Sequence, residues 1–216
     1  MTLAFLTPAV AEDAPSPQSP FAGVAERSGA RMGHRDGWRV PLEFGTAADE
    51  QLAVREFVGF ADVSPLPVTE IQGTGVAKGL TFGTADRRDS TWWCPITPTR
   101  VLVVGNHEPG LDVTTQFCAL RIRGPLARPL MARFCALDLR PSVAPPTSLR
   151  PGSVARTPGL VIVEESDQLL VLVGAAVAEY VWDVVSDAAD RLGGGPIGAD
   201  AIIAEGRAPR EAVADA

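Results

Sequence analysis

Few side chains in this sequence are suited to nucleophilic or metal chemistry. The three cysteines, Cys94, Cys118 and Cys135, are widely spaced, and neither histidine, His34 or His107, is adjacent to one of them. No Cys-x-x-Cys spacing is present, and an odd number of cysteines argues against a disulfide framework. We therefore expect no metal site and no catalytic residue among these groups, but buried thiols that behave as small apolar residues in a reducing cytoplasm.

The only lysine, Lys78, lies in a glycine-rich segment at residues 73 to 79, and the other basic residues are eighteen arginines. A Schiff base therefore has one candidate, and nothing beside it supports that role. The segment also lacks the Gly-Lys-Ser/Thr ending and the following helix of a phosphate loop. It does not predict nucleotide binding.

Two clusters are candidates for a binding function, and each has a structural alternative. Asp62 and Ser64 follow an apolar run and could supply a pocket carboxylate, although an Asp shortly before Ser-Pro is also typical of a turn. Trp92 and Trp93 could stack on a heterocycle, anchor a protein interface or lie in the core. The residues alone leave these alternatives open.

Length, composition and charge exclude several classes of function. The chain has 216 residues, 46% of them hydrophobic and 21% charged, which is typical of one large globular domain or two small ones. The formal net charge of -7 argues against nucleic acid or anionic lipid as a partner. The apolar stretch at residues 168 to 181 is too short to cross a bilayer. The expected partner is a protein or a small molecule.

The elements that would position these residues form two units between two tails. We expect a disordered tail at residues 1–20, a first α+β unit at 21–110, a second at 111–205 and a tail at 206–216. In the first unit, Thr46 should begin a helix whose core face includes Leu52 and Phe57. Strands are predicted at residues 59 to 63, 68 to 73 and 100 to 105.

The second unit has the β-α-β-β-α order of a ferredoxin-like arrangement. Leu120 and Ile122 alternate with Arg121 and Arg123, which predicts that both arginines lie on the solvent or partner face of their strand. A helix at residues 125 to 134 should kink at Pro129. Strands at 159 to 163 and 169 to 173 should form an antiparallel hairpin around a solvated acidic turn, and a last helix is expected at 175 to 192.

Short motifs occur in the order, and nearly the ungapped spacing, of one known family. They include Ser28-Gly29-Ala30-Arg31-Met32, Gly37-Trp38, Gly59-Phe60-Ala61-Asp62-Val63-Ser64, Gly124-Pro125 and Val181-Trp182-Asp183. On these residues the chain resembles the glycine-cleavage T-protein family, the folate-dependent aminomethyltransferases, over about residues 20 to 205. The resemblance implies an aminomethyltransferase folate-binding-type α+β fold. It makes Trp38, Asp62 and Ser64 candidates for cofactor binding.

Within that family the second half is most similar to the gamma subunit of heterotetrameric sarcosine oxidase. The similarity lies at residues 134 to 141, Phe-Cys-Ala-Leu-Asp-Leu-Arg-Pro. It implies that larger flavoprotein subunits are partners and that they carry the flavin, NAD and folate chemistry. Residues that we expect at the partner interface are Trp92, Trp93, Cys135 and Pro141.

Two departures from the family affect the expected mechanism. T-proteins bind folate with a long loop containing Arg-Thr-Gly and Gly-Glu-x-Gly-Tyr-Glu, whereas this chain has only the acidic turn at residues 164 to 167. The Gly-Gly-x-x-Asp-Asp stretch that holds the family's catalytic Asp is also missing, so no catalytic acid is identified. A solvated turn does not hold a carboxylate in the desolvated pocket that general acid or base catalysis needs.

Three hypotheses follow. The first is a non-catalytic accessory subunit of a sarcosine-oxidase-type complex in one-carbon metabolism, which binds no cofactor by itself. The second is a stand-alone tetrahydrofolate-dependent aminomethyltransferase, and the third is a folate sensor or scaffold. A carboxylate that points into a pocket with room for a pterin would favour the enzyme, and its absence would favour the subunit.

Overall fold

The computed structural model describes residues 17–35, 37–106, 109–199 and 201. Most of the predicted N-terminal tail and all of the tail at 206–216 lie outside the described residues. Residues 17 to 20 do not behave as the predicted tail, because Ser19 is buried and Gln18 forms a β-bridge with Arg39. The fold therefore begins earlier than Phe21.

The described residues form four helices, thirteen strands and two 3₁₀ turns. The helices are α1 (Ala22–Arg27), α2 (Ala47–Glu56), α3 (Ala127–Met131) and α4 (Ala178–Asp190). The strands are β1 (Arg31–Arg35), β2 (Trp38–Glu43), β3 (Gly59–Asp62), β4 (Val68–Gln72), β5 (Asp86–Arg88), β6 (Thr91–Thr97), β7 (Arg100–Val104), β8 (Leu111–Asp112), β9 (Phe117–Arg123), β10 (Leu149–Val154), β11 (Thr157–Glu165), β12 (Gln168–Gly174) and β13 (Gly195–Ile197). The 3₁₀ turns are Thr114–Gln116 and Ala175–Val177.

The strands form one hairpin and two larger sheets. Strands β1 and β2 pair with each other. The six-stranded sheet has the order β10-β11-β12-β9-β3-β13 and is antiparallel except that β13 runs parallel to β3. The five-stranded sheet has the order β5-β6-β7-β4-β8 and is antiparallel throughout. The predicted hairpin of β11 and β12 is confirmed.

The six-stranded sheet is buried on both faces. Helices α1, α3 and α4 cover one face, where Trp182 packs its ring 5.5 Å from Phe21 and 5.1 Å from Phe60, measured between ring centroids. The five-stranded sheet covers the other face, where Leu170 and Leu172 pack among its apolar side chains. The result is a three-layer helix–sheet–sheet arrangement, which agrees with the predicted α+β class.

The two sheets do not follow the predicted boundary at residues 110 and 111. Strand β3, from the expected first unit, lies between β9 and β13 of the second, and β8 joins the sheet of the first. The division of the chain into units at 21–110 and 111–205 stays a prediction. The predicted β-α-β-β-α order is present with three additional strands in the sheet: β10 precedes the hairpin, β13 follows α4, and β3 lies between β9 and β13.

Helix α2 confirms the predicted cap but corrects the predicted core face. The Thr46 side chain accepts a hydrogen bond from the Asp49 N–H, as a helix cap should. Leu52 and Phe57, however, are exposed, and the buried positions are Glu50 and Val54. The Glu50 carboxylate accepts hydrogen bonds from the N–H groups of Phe44, Gly45 and Gly198, so it fixes the helix to the segments that follow β2 and β13.

Helix α3 is shorter than predicted and has no interior kink. It begins at Ala127 rather than at Pro125, so Pro129 is its third residue. The first N–H groups of a helix have no partner within the helix, and a proline there removes no hydrogen bond. The expected cost of Pro129 therefore does not arise.

Candidate functional site

A cavity of about 640 Å³ opens beside the β1–β2 hairpin, where strand β3 ends. Its lining residues are Arg35, Trp38, Val40, Asp62, Val63, Pro65, Leu66, Pro67, Asn106, Arg121 and Ala199. Two of the predicted cofactor-binding residues, Trp38 and Asp62, thus line one cavity, and the third, Ser64, is buried beside it. The volume lies within the range of small-molecule sites.

The Asp62 carboxylate is buried and closes a turn. Its Oδ1 accepts a hydrogen bond from the Ser64 N–H at 2.9 Å, and the Ser64 Oγ accepts one from the Ala119 N–H at 3.1 Å. Asp62 Oδ2 has no hydrogen-bond partner of good geometry within the described chain. Burial raises the pKa of Asp62, and the hydroxyls of Ser19 and Ser64 offset part of that rise. Asp62 therefore has the turn role, which is one of the two alternatives that the sequence left open.

The pairing of the strands decides which way Asp62 and Arg121 face. Asp62 is opposite Leu120, and Ala61 is opposite Arg121, in the antiparallel pair of β3 and β9. Directly opposed residues share a face of the sheet. Leu120 packs in the helix-side core, so the Asp62 side chain lies on the helix side, and the Arg121 side chain lies on the side of the second sheet. Both residues line the cavity at the end of the strand, but the Asp62 carboxylate and the Arg121 guanidinium lie on opposite faces of the sheet.

The prediction of a solvated acidic turn is wrong for Glu164, which is buried at the rim between the two sheets. Its carboxylate accepts hydrogen bonds from Arg121 Nε at 2.7 Å and Nη2 at 3.0 Å. Trp92 Nε1 at 3.2 Å and Gln168 Nε2 at 2.8 Å donate to the same carboxylate. These bonds engage both oxygens, so the carboxylate is fully used within the fold.

The predicted position of Arg121 is corrected by the same contacts. Its neighbours Leu120 and Ile122 take the helix side of the sheet, as the alternation predicts. The opposite face is not solvent but the second sheet, and the Arg121 side chain is only 24% exposed because it pairs with Glu164. This ion pair had one signal in the sequence. Strand β11 extends to Glu165, so Glu164 alternates with Val163 and faces the second sheet.

The four residues of the predicted interface differ in burial, and the interface itself stays a prediction. Trp92 is buried between the sheets, with the Arg87 guanidinium 5.1 Å from its ring centroid, and Cys135 is buried as well. Trp93 is half-buried on the outer face of the five-stranded sheet under Arg88, and Pro141 is exposed. Trp92 and Cys135 therefore act in the core, whereas Trp93 and Pro141 reach the surface.

The three thiols are buried, as predicted. Burial raises the pKa of Cys94 and of Cys118 to about 12, with the Asp62 charge adding to the effect on Cys118. Burial also raises the pKa of Cys135. A reactive thiolate needs a lowered pKa, so these environments favour inert thiols.

Comparison with known proteins gives matches of partial length. No family model matches the chain. Aminomethyltransferases from Synechococcus elongatus and another Synechococcus strain are each 37% identical to it over 62 residues, which is 29% of this chain and 17% of those proteins. The sequence similarity thus covers only a small part of these relatives.

Two solved structures share the fold over most of the chain. A chain of heterotetrameric sarcosine oxidase from Corynebacterium sp. U-96 superposes with a TM-score of 0.58 and 18% identity, over 68% of this chain and 92% of that one. The glycine cleavage system aminomethyltransferase T from Bartonella henselae gives a TM-score of 0.64 and 15% identity, over 87% of this chain and 61% of that one.

The aminomethyltransferase-like fold is confirmed. The predicted resemblance to T-proteins and to sarcosine oxidase is confirmed with it. In the described part of this aminomethyltransferase-like chain, no helix is long and apolar enough to span a bilayer.

Proposed function

We propose that this chain is a non-catalytic accessory subunit, similar to the gamma subunit of sarcosine oxidase, in an amine-oxidising complex of one-carbon metabolism. In this proposal the larger subunits hold the flavin and the folate, the present chain binds no cofactor by itself, and the complex acts in the cytoplasm.

The observation that carries the proposal is the use of Glu164 by the fold. Glu164 stands where T-proteins have the folate loop, and its oxygens are occupied by Arg121, Trp92 and Gln168. Asp62 closes a turn on the helix side of its sheet. A general acid or base must reach the reacting atoms, and Glu164, with both oxygens engaged inside the fold, is not free to do so.

The extent of the fold similarity supports the same proposal. The chain matches 92% of a sarcosine oxidase chain but only 61% of an aminomethyltransferase T chain. This chain accounts for nearly the whole of the oxidase chain but not of the transferase chain. That difference favours an oxidase-subunit role over transferase activity.

The test is to tag the chain in its own organism and purify it under mild conditions. We expect a stable complex that contains a flavin-absorbing partner in fixed proportion, and no tetrahydrofolate-dependent turnover by the isolated chain. Recovery of the chain alone, together with folate-dependent release of an aminomethyl group, would overturn the proposal.

The second candidate is a small tetrahydrofolate-dependent aminomethyltransferase, and the cavity of about 640 Å³ favours it. Asp62 lines this cavity, its Oδ2 has no hydrogen-bond partner of good geometry within the described chain, and burial raises its pKa.

The variant Asp62→Asn separates the two roles. Because the folded pKa is raised, ionisation of Asp62 costs stability as the pH rises above the unfolded pKa of about 3.9. In either role, Asp62→Asn keeps the turn acceptor and should melt at a higher temperature than the wild type at pH 8, with a gain that vanishes at low pH. Turnover separates the roles: in the enzyme role the wild type has folate-dependent turnover and the variant loses it, whereas in the accessory role neither protein has any. Asp167→Asn, at an exposed position, is the matched control.

A further inference from the structure

The chain enters the described fold beside the cavity of about 640 Å³. The Arg39 N–H donates to the Pro17 carbonyl at 2.9 Å, and the Ser19 N–H donates to the Arg39 carbonyl at 3.2 Å. These two bonds hold the entering segment along strand β2, and Ser19 is buried. The two neighbours of Arg39 in sequence, Trp38 and Val40, both line the cavity. Pro17 is therefore anchored next to the cavity wall.

The direction of this pairing shows where the preceding residues lead. Gln18 and Arg39 form a parallel bridge, so the entering segment runs in the same direction as β2. On its N-terminal side, the backbone at Pro17 is therefore directed towards the start of β2. Trp38 lies there opposite Arg35, and both residues line the cavity. The sixteen residues before Pro17 thus start along the cavity rather than away from it.

The wall of the cavity is mainly apolar and only partly covered. Seven of its eleven lining residues are apolar. Among them Trp38, Val63 and Leu66 are half-buried, so the wall leaves apolar surface in contact with water. Covering such surface with apolar side chains is favourable.

The start of the chain has the matching composition. Residues 1–10, called the N-terminal segment below, include seven apolar residues and no charged side chain, and Leu3, Phe5 and Leu6 are the largest of them. The three prolines and two serines that indicate a disordered tail lie at residues 12 to 20 instead. The N-terminal segment is therefore suited to an apolar cavity.

The connection between this segment and the anchor has a suitable length and charge. Residues 11 to 16 span up to about 20 Å when extended, which allows the apolar run to fold back over a cavity of this size. The acidic residues before Pro17 are Glu12 and Asp13, in this connection, and the basic residue Arg35 is exposed at the end of the cavity that the connection approaches. Attraction between these charges favours the same path and weakens with salt.

We propose that the N-terminal segment docks into the cavity at the end of β3 and fills it. Because the segment is tethered at Pro17, docking is intramolecular and takes place at a high effective concentration. A small molecule that enters the cavity must first displace the segment, so the chain regulates access to its own cavity. This inference does not depend on the accessory role.

The experiment traps the docked segment with a disulfide in the full chain. Phe5→Cys with Pro65→Cys places one thiol in the apolar run and one on the cavity wall. Phe5→Cys with Val143→Cys is the matched control, because Val143 is 42% exposed and accepts a hydrogen bond from Arg150 of β10, four strands away from β3. The three native cysteines are buried and do not compete. Each purified variant is oxidised mildly at low protein concentration, and its melting temperature is measured.

We expect the Pro65→Cys pair to form a disulfide within one chain at least tenfold faster than the Val143→Cys pair, with both variants folded. Equal rates in the two pairs would overturn the proposal. A disulfide that forms only between two chains would also overturn it and would assign the cavity to the N-terminal segment of a second copy.

A second measurement uses the dye anilinonaphthalene sulfonate, which binds exposed apolar surface. Phe5→Asp with Leu6→Asp should release the segment and raise dye fluorescence several-fold with little change in melting temperature. Ala11→Asp with Ala14→Asp adds the same charge to the connection and should leave the fluorescence near that of the wild type. Equal fluorescence of the wild type and the Phe5→Asp, Leu6→Asp variant would show that the cavity is open without displacement and would overturn the proposal. The accessory role is tested separately, by co-purification.

Discussion

The contact between Arg121 and Glu164 gives the sharpest quantitative prediction. Replacing Arg121 with Met keeps the length of the side chain and removes two charge-assisted hydrogen bonds from Glu164, at 2.7 Å and 3.0 Å. The Glu164 side chain is only 5% exposed, so its charge would be left without a cation. Breaking a buried ion pair on one side costs about 3 to 5 kcal/mol, and the 24% exposure of Arg121 places this one near the lower limit, about 3 kcal/mol.

The assay is reversible thermal or urea unfolding at pH 7. For a chain of this size, about 3 kcal/mol corresponds to a drop of roughly 6 to 12 °C in melting temperature. The double variant Arg121→Met with Glu164→Leu removes the unpaired charge, and we expect it to be more stable than Arg121→Met alone. Arg55→Met, at an exposed position of α2, is the control and should change stability by less than about 0.5 kcal/mol.

A loss below about 1 kcal/mol for Arg121→Met, with no gain in the double variant, would refute this reasoning. That result would mean that water reaches Glu164 and that the acidic turn is solvated, as the sequence alone predicts.

Three further outcomes are expected. Arg156→Gly should raise the free energy of unfolding by about 0.5 to 1 kcal/mol in urea titrations, because Arg156 has a φ of 61° and glycine adopts that region without strain; a loss would argue against strain there. Glu50→Ala should cost about 3 kcal/mol by the same measurement, because three backbone N–H groups donate to this carboxylate, whereas Glu56→Ala at an exposed site should cost little. Cys94 and Cys118 should not react with a thiol reagent at pH 8 until the protein unfolds, since burial raises the pKa of each to about 12, and rapid labelling of the folded protein would contradict this.

Features that depend on neighbours in sequence could be predicted. The cap at Thr46 and the hairpin of β11 and β12 each follow from a few adjacent residues, and both are present. The alternation of Leu120 and Arg121 correctly separates the two faces of β9. Local patterns specify these elements because turn chemistry and period-two alternation act over short distances.

Features that depend on distant parts of the chain could not be predicted in the same way. The sequence around Glu164 is that of a turn, and its burial depends on Trp92, which is 72 positions away and reaches it from the second sheet. Leu52 looks like a core residue by its spacing, but α2 packs through Glu50 and Val54 instead. In each case the face that is buried depends on what packs against the segment from another part of the fold. The sequence of the segment alone does not contain that information.

The position of β3 has a consequence for how the protein is made. Gly59 is opposite Arg123 in β9 and opposite Gly195 in β13. During synthesis β3 is made long before its second neighbour, because β9, the long hairpin of β11 and β12, and helix α4 all precede β13. Pairings so distant in sequence slow folding, because the intervening chain must be closed into loops first. Until then one edge of β3 stays open to other chains even after β9 has paired with the other edge. We therefore expect the isolated, unchaperoned chain to refold slowly and to aggregate from its partly folded state rather than from its native one.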